Sequence, residues 1–292
     1  AKWLEACVEL PWRHSVPSLN YLLTSTCWRN DHNGFSHQGP GFMDTVLSKK
    51  GSVARAYLPP DANCLLAVAD HCLRSNDHVN LIIIDKQPQL QWLDLEAAKR
   101  HCAAGASVWE WASTHAERSP DIVLACAGDT ATQETLAAAA WLRERAPELA
   151  VRVVNVVDLM TLATPGAHPH GMSAERFSEL FTTHAQVVFA FHGYPGAVHQ
   201  LLHGRSDPGR FHVRGYREEG TTTTPFDMVV LNQTSRFHLV LLALAHSQQK
   251  PANSEHLIRE CHAALARHSE YVRACFEDLP EIRDFRWPEK RP

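Results

Sequence analysis

The segment WRNDHNGFSHQGPGF, residues 28–42, concentrates side chains that can do chemistry but has neither helical nor strand periodicity. His32 and His37 do not share a helix face, but they converge if the segment folds over a ligand. An imidazole with a pKa of about 6.5 suits proton transfer at hydroxyls and carbonyls. Asn33 and Gln38 add uncharged hydrogen-bonding groups, and the glycines let the backbone approach a ligand. The sequence therefore predicts a ligand-binding loop, against the alternative of a polar turn that satisfies its own backbone.

A second candidate is Lys86, which directly follows the apolar run VNLIIID. If that run is a parallel strand, Lys86 lies at the carboxyl end of the sheet, where ligands bind in α/β proteins. A cation there can hold a substrate phosphate, whereas a solvated surface lysine is the ordinary alternative. Gly128 and Asp129 stand between a strand pattern and a helix pattern but match neither glycine-rich phosphate signature, so we predict a turn.

Two further polar segments are weaker candidates. HVRGYREEGTTTTPFDM, residues 212–228, carries paired charges and four threonines before a helix start, a pattern that suits either an anion or docking against another domain. Thr224 is the predicted N-cap and Pro225 the first helical residue. His168 and His170 in HPHG lack further ligands at a recognisable spacing, so loop histidines are favoured over a metal site.

Composition narrows the function classes. The chain has 292 residues, of which 45% are hydrophobic, and a formal net charge of −4, so no basic field favours nucleic acid or anionic lipid. Eight scattered cysteines without a C-x-x-C pair indicate buried free thiols. The apolar runs fall short of the roughly 20 residues of a membrane helix and no signal pattern opens the chain, which favours a cytoplasmic protein.

Hydrophobic periodicity predicts an α/β fold. A buried strand is expected at residues 19–26, a helix ended by Gly51, and a βαβαβ unit complete by residue 85 with VNLIIID as its central strand. The pattern restarts at DIVLACAGD, and further strands are expected at 185–193 and 210–216. An amphipathic helix at 254–276 precedes a polar tail. The chain opens in mid-helix without Met, which suggests the later part of a longer protein.

Taken in order, WRNDHNGFSHQGPGF, YLPPDANCLL, KQPQLQWL, VRVVNVVDLM, HPHGM, FAFHGYP and HVRGYREEGTTTTPFDMVVLN strongly resemble the C-terminal part of the phosphoketolases, thiamine diphosphate enzymes related to transketolase. The resemblance implies two three-layer α/β/α domains and a helical tail. Residues 1–105 would be the later half of the pyrimidine-binding middle domain, 106–250 the C-terminal domain and 251–292 a helical extension. The diphosphate-binding signature and the family's catalytic Glu would precede Ala1.

The activity implied by the resemblance is cleavage of xylulose 5-phosphate, and often fructose 6-phosphate, by inorganic phosphate. The products would be acetyl phosphate and an aldose phosphate, formed through a thiamine diphosphate-bound two-carbon intermediate that is dehydrated. By motif match, His32 and His37 look like catalytic loop residues, with His37 the expected proton donor. Asn33, Gln38 and Lys86 look like substrate-binding residues, with Lys86 on the sugar phosphate. Mg²⁺ and most cofactor contacts would come from upstream, and a homodimer is expected.

Two alternatives remain open. A transketolase-like glycolaldehyde transferase would share the fold and cofactor but would pass the two-carbon unit to an aldose. A noncatalytic fragment or subunit would serve dimerisation and complete the site of another chain. Product identity separates the two enzymes, and the resemblance assigns no role to the segment EEGTTTTPFDM beyond packing or docking.

Overall fold

The structure, a computed structural model, describes residues 1–24, 26–29, 39–220 and 222–288. The helices are α1 Lys2–Glu9, α2 Gly41–Leu47, α3 Ala62–Arg74, α4 Leu95–Ala104, α5 Asp129–Arg145, α6 Ala174–Phe181, α7 Pro195–Leu202, α8 Pro225–Leu231, α9 Arg236–His246, α10 Ser254–Cys275 and α11 Pro280–Arg283. The strands are β1 Leu19–Leu23, β2 Ala54–Tyr57, β3 Val79–Ile83, β4 Ala106–Val108, β5 Ile122–Ala127, β6 Val151–Val156, β7 Val187–Phe191 and β8 Phe211–Arg214.

The first sheet has the order β1-β3-β2, and both pairings are parallel. The predicted βαβαβ unit is therefore confirmed, with β3 as the central strand. All five β3 residues are buried, because a central parallel strand is covered on both faces. The chain between β1 and β2 forms α2, which ends at Leu47 rather than near Gly51. The N–H of Ser48 donates to the Asp44 carbonyl, and its hydroxyl donates to the Thr45 carbonyl.

The prediction of a buried strand at residues 19–26 is wrong in its burial. β1 pairs only with β3 among the described residues, and four of its five residues are exposed. Leu22, for example, is 53% exposed. The apolar run is a strand, as predicted, but it lies at the edge of the sheet, where Phe42 of α2 contacts Tyr21 and most of the strand stays exposed.

The second sheet has the order β4-β6-β5-β7-β8, parallel except for the short edge strand β4, which the sequence did not predict. Alternate residues of β5 enter two separate cores. Ile122 and Leu124 face the core formed with α5, α9 and α10, whereas Val123 and Ala125 face a core shared with α6 and α7. The second core also takes Leu81 of the first sheet, so the two sheets are packed together through continuous apolar contacts.

The C-terminal segment is better ordered than a polar tail. After α10 the chain forms α11 and buries Trp287, whose ring meets Trp111 edge-on at 5.1 Å. The guanidinium of Arg143 lies 5.3 Å from the Trp287 ring centroid. These contacts explain why a segment with many charges still packs against the core that contains α5, α9 and α10.

One described segment, Pro225–His246, is apolar and long enough by composition to cross a membrane. In the structure it forms two helices, α8 and α9, and it is mostly buried against the rest of the chain, as the core helices of globular proteins are. All eight cysteines are free thiols; six are buried, Cys102 is half-buried and Cys275 is exposed.

Candidate active site

Lys86 lies at the carboxyl end of β3, three positions after Ile83, and its side chain is exposed. The placement is the one expected from the run VNLIIID. The carboxyl ends of β5 and β7 point in the same direction in the neighbouring parallel sheet. The segments that follow β3 and β5 meet next to Lys86 through the hydrogen bond from the Asp85 N–H to Asp129, and the contacts around this bond define the candidate site.

The carboxylate of Asp85 holds the segment that follows β3. Its Oδ1 accepts the backbone N–H of Gln87 at 2.9 Å, and its Oδ2 accepts the amide of Gln89 at 2.8 Å. Nη1 of Arg29 lies 3.5 Å from the same Oδ2. Asp85 therefore links the backbone around Lys86 to Arg29, which directly precedes the polar loop, residues 30–38, within the segment 28–42.

Asp129 connects the segment that carries Lys86 to the second sheet. It is the first residue of α5, is only 5% exposed, and its Oδ2 accepts the backbone N–H of Asp85 at 2.7 Å. Burial raises the pKa of the carboxyls of both Asp129 and Asp85. Gly128, which directly precedes Asp129, has a φ of 103°, and a Cβ at this position would lie 2.7 Å from the Cβ of His192. The sequence predicted only a turn here, so its contribution to the site was missed.

The residues before the polar loop are anchored on the second sheet. Trp28 is 1% exposed, and its indole Nε1–H donates to the carbonyl of His192 at 2.9 Å. Its ring meets Tyr216 edge-on at 5.6 Å. His192 follows β7 and Tyr216 follows β8, so residue 28 is fixed to the carboxyl edge of the C-terminal domain.

Gly39, the residue after the polar loop, lies against the same edge of the second sheet. A Cβ on Gly39 would lie 2.6 Å from the hydroxyl oxygen of Tyr194 and 3.0 Å from Oε1 of Glu218. The Tyr194 hydroxyl donates to the Glu218 carboxylate. Glycine is therefore the residue that permits this close approach. Both flanks of the polar loop thus contact segments that follow β7 and β8.

The loop residues named from the sequence, His32, Asn33, His37 and Gln38, lie outside the described residues. Their roles stay predictions, as does the role of Lys86. What the structure adds is the position of the loop's two flanks, Trp28–Arg29 and Gly39, next to Asp85, Tyr194 and the end of β7.

The segment from Lys86 to Leu93 is also held at its far end. Asp61 caps α3 by accepting the N–H of Cys64 at 2.8 Å through Oδ1. Its Oδ2 accepts the N–H groups of Trp92 and Leu93, each at 2.9 Å. Asp85 and Asp61 therefore fix this segment close to both of its ends.

A cavity of about 940 Å³ opens beside Arg29, between the segment after β3 and the helical C-terminal segment. Gln89, Thr223 and Arg286 are among its lining residues. Its volume lies in the range of small-molecule clefts, about 300–1,000 Å³. Thr223 and Thr224 are both engaged locally: the Thr223 hydroxyl donates to Asp227, and Thr224 caps α8 as predicted by accepting the N–H of Asp227.

The charged segment before the threonines is held by one amide. Asn232 is fully buried, and its Oδ1 accepts the backbone N–H of Arg217 at 2.7 Å and that of Glu219 at 3.4 Å. With Glu218 turned to Tyr194, these contacts form an ordered turn. Its suitability for an anion or for domain docking stays a prediction.

His168 and His170 gather around a buried arginine. Nη1 of Arg55 lies 3.2 Å from Nε2 of His168, and Nε donates to Nε2 of His170 at 3.1 Å. Asp158 contacts Nδ1 of His170 at 2.5 Å. Within the described residues, no group of three or more His, Cys, Asp and Glu side chains is placed to hold a metal ion. These histidines join β2 to the C-terminal domain.

Two family models match the chain. The model described as "XFP C-terminal domain" matches residues 86–287, and the model described as "D-xylulose 5-phosphate/D-fructose 6-phosphate phosphoketolase" matches residues 1–75.

Curated relatives agree with these matches. The chain is 57% identical over 287 residues to a "Probable phosphoketolase" of Rhodopseudomonas palustris (strain TIE-1) and 55% identical over 287 residues to "Probable phosphoketolase 2" of Rhizobium meliloti (strain 1021). Both alignments cover 98% of this chain, but only 36% and 37% of the relatives. The chain thus spans little more than a third of their length.

Solved structures with a similar fold include transketolases. A transketolase from Leishmania mexicana aligns with a TM-score of 0.55 and 13% identity, over 80% of this chain and 32% of that one. A chain described as "Split gene transketolase, inactive beta4 tetramer" aligns with a TM-score of 0.56 and 16% identity, over 78% of this chain and 66% of that one. At these identities the likeness shows the fold, and it confirms the expected transketolase-like α/β architecture.

Family models that match both parts of the chain, together with relatives 55–57% identical over almost all of it, lead to one conclusion. The chain belongs to the phosphoketolase family.

Proposed function

We propose that this chain is the C-terminal part of a phosphoketolase that cleaves xylulose 5-phosphate, with fructose 6-phosphate as a second substrate, using inorganic phosphate. The products are acetyl phosphate and an aldose phosphate. The observation that carries the proposal is the family match over residues 86–287, combined with identities of 55–57% over 98% of the chain.

In this proposal, Lys86 holds the phosphate of the sugar. The residue follows the carboxyl end of a parallel strand, where α/β proteins bind ligands, and a phosphate suits its ammonium group as a point-charge partner. The exposed side chain is accessible to a substrate, and the segment that carries it is fixed by Asp85 and Asp61. A fixed backbone lets one cation select the phosphorylated end of the sugar.

The polar loop supplies proton transfer and orientation. His37 donates a proton to the hydroxyl that leaves the two-carbon fragment, and His32 serves as a second proton-carrying group. Asn33 and Gln38 hydrogen-bond the sugar hydroxyls. Support comes from the loop's flanks, because Arg29 contacts Asp85 and Gly39 contacts the Tyr194–Glu218 pair at the same sheet edge.

Thiamine diphosphate, when bound, supplies the electron sink that this reaction class needs. We assign the binding of cofactor and metal mainly to the part of the protein that precedes this chain, since the chain covers only 36–37% of the length of its relatives. In the proposed reaction, residues 1–292 bind the sugar phosphate, orient it and transfer protons.

The remaining features of the proposal concern organisation. Residues 1–105 form the later half of the middle domain, 106–250 the C-terminal domain and 251–292 a helical extension, in line with the sheets that end at Ile83 and begin at Ala106. The complete enzyme is a cytoplasmic homodimer. The chain alone is inactive, because it lacks most of the cofactor site.

The product decides between this proposal and the transketolase-like alternative. Full-length enzyme is supplied with thiamine diphosphate, Mg²⁺ and xylulose 5-phosphate, with either inorganic phosphate or ribose 5-phosphate as the second substrate. The proposal predicts acetyl phosphate in the first mixture and little sedoheptulose 7-phosphate in the second. A seven-carbon sugar phosphate without acetyl phosphate establishes glycolaldehyde transfer instead.

A further inference from the structure

Asp129 is a buried acid to which the proposed reaction gives no task. Its two oxygens accept backbone N–H groups, Oδ1 that of Thr130 at 2.6 Å and Oδ2 that of Asp85 at 2.7 Å. Burying a carboxylate is costly unless hydrogen bonds replace the lost water. The first bond is local to α5, but the second reaches a residue 44 positions away that directly precedes Lys86.

The backbone is thereby held on both sides of Lys86. On one side, the N–H of Asp85 is bound to Asp129 from the C-terminal domain. On the other side, the N–H of Gln87 is bound to Oδ1 of Asp85 itself at 2.9 Å. Hydrogen bonds to a carboxylate are stronger than bonds between neutral groups. The Cα of Lys86 is therefore placed by two charge-assisted bonds in series, and the first starts at Asp129.

The same series reaches the polar loop. Oδ2 of Asp85 lies 3.5 Å from Arg29 and accepts the amide of Gln89 at 2.8 Å. A shift of the Asp85 backbone would therefore displace its carboxylate and the Arg29 contact together.

We propose that Asp129 is a positioning residue for Lys86, and that the C-terminal domain sets the affinity for the sugar phosphate through it. The inference rests on the proposed function, because it takes Lys86 as the phosphate-binding group. Asp129 touches neither substrate nor cofactor, and its effect passes through the backbone of residues 85–87.

The chain offers a matched control at the other end of the same strand. Asp121 precedes β5 as Asp129 follows it, and it is also buried, at 3% exposure. Its Oδ2 accepts the backbone N–H of Ala150 at 2.8 Å. Asp121→Asn and Asp129→Asn therefore make the same chemical change at buried acceptors on either side of β5. Asp121 is also ion-paired to Arg118, and of the two only Asp129 accepts a hydrogen bond from the residue before Lys86.

The test uses the full-length enzyme. Calorimetry without inorganic phosphate measures the Kd of xylulose 5-phosphate, and steady-state kinetics measures the KM of the sugar phosphate and of inorganic phosphate. Asp129→Asn is expected to raise the Kd and KM of the sugar phosphate roughly tenfold, the equivalent of about one charge-assisted hydrogen bond. The KM of inorganic phosphate and kcat should change less than about threefold. Asp121→Asn should leave the sugar-phosphate Kd within about twofold.

A double-mutant cycle separates positioning from general destabilisation. In a Lys86→Met background, Asp129→Asn should change the sugar-phosphate Kd less than about twofold, because the group that it positions is gone. An undiminished effect in that background overturns the inference, as does an equal rise in Kd for both Asn variants. If Asp129→Asn does not fold, Asp129→Ser removes the carboxylate that accepts the Asp85 N–H, and a wild-type Kd for that variant contradicts the inference.

These outcomes are distinguishable from failure of the proposed function. Sugar-phosphate binding without acetyl phosphate formation contradicts the proposed reaction but leaves the Kd comparison of Asp129→Asn and Asp121→Asn to decide the inference. Absence of any sugar-phosphate binding by the wild-type enzyme contradicts both.

Discussion

The Oδ2 atom of Asp129 lies 2.7 Å from the backbone nitrogen of Asp85, which donates a hydrogen bond to it across the two sheets. This bond joins the start of α5 to the residue before Lys86. The residue before Lys86, at the end of the first sheet, is thus tied to a carboxylate at the end of β5 in the second sheet. The predictions below follow from this arrangement and from the contacts around it.

Lys86→Ala should raise the KM for the sugar phosphate by about ten- to a hundredfold, because a charged hydrogen bond of about 1.5–3 kcal/mol is lost. The KM for inorganic phosphate should change little. Initial-rate kinetics with xylulose 5-phosphate as the varied substrate provides the measurement. Lys99→Ala is the matched control, since Lys99 is an exposed lysine paired with Glu96. An unchanged KM for Lys86→Ala would remove Lys86 from the site.

His37→Ala should abolish acetyl phosphate formation while the protein stays folded, because the leaving hydroxyl loses its proton donor. Loss of a general acid typically costs about 100- to 10,000-fold in rate. Acetyl phosphate is assayed alongside circular dichroism and thermal unfolding. His199→Ala, at an exposed position on α7, should retain full activity. A His37→Ala enzyme with wild-type rates contradicts the assignment.

Asp61→Ala should destabilise the protein more than Asp94→Ala does. Both residues cap a helix, and loss of an N-cap costs about 1 kcal/mol. Asp61 also accepts the N–H groups of Trp92 and Leu93, so its removal leaves further buried donors unsatisfied, at about 1–3 kcal/mol in total. Thermal or urea unfolding measures the difference, and equal losses for the two variants contradict it.

Stability should fall on acidification from about pH 6.5 to pH 4, partly through His168. Burial lowers the pKa of His168 to about 4, below the unfolded value of about 6.5. The unfolded chain therefore binds more protons than the folded chain in this range. The contribution of His168 to the free energy of unfolding is present in full above pH 6.5 and is lost as the pH falls toward 4. The maximum is about 3 kcal/mol, from a shift of about 2.5 pKa units.

The structural reason lies in the contacts of His168. Its Nδ1 accepts the N–H of His170 at 2.9 Å and its Nε2 donates to the carbonyl of Ala54 at 3.0 Å, so both ring nitrogens are committed in the neutral form. A second proton would also stand beside the Arg55 guanidinium. When the free energy of unfolding is measured from pH 4 to 8, its slope against pH should be shallower for His168→Gln than for the wild type. The variant His199→Gln, at an exposed position, should keep the wild-type slope. Equal slopes for all three proteins contradict the prediction.

The sequence predicted most of the parallel strands because buried strands leave a clear pattern. VNLIIID is mostly apolar because both faces of β3 are covered, and the prediction of a central strand was correct. The run at β1 is also mostly apolar but lies at a sheet edge, and apolar composition alone does not distinguish the two positions. β4, with only three residues, gives too short a pattern to recognise.

For the site as well, the sequence pointed to one residue and missed another. Lys86 was named from the sequence because it follows a recognisable strand and matches a family motif; its position after β3 agrees with that expectation, and its role stays a prediction. Asp129 was missed because its partner Asp85 is distant in sequence, and their hydrogen bond exists only when the ends of β3 and β5 meet. The usable signal was an acid directly after a strand pattern, at the edge where Lys86 was already expected.

The most direct test of the account is acetyl phosphate formation from xylulose 5-phosphate and inorganic phosphate, with thiamine diphosphate and Mg²⁺. Residues 1–292 alone are compared with the same residues joined to the preceding domains of a phosphoketolase. The account predicts acetyl phosphate from the joined protein and none from residues 1–292 alone. No acetyl phosphate from a joined protein that is folded and has bound its cofactor would contradict it.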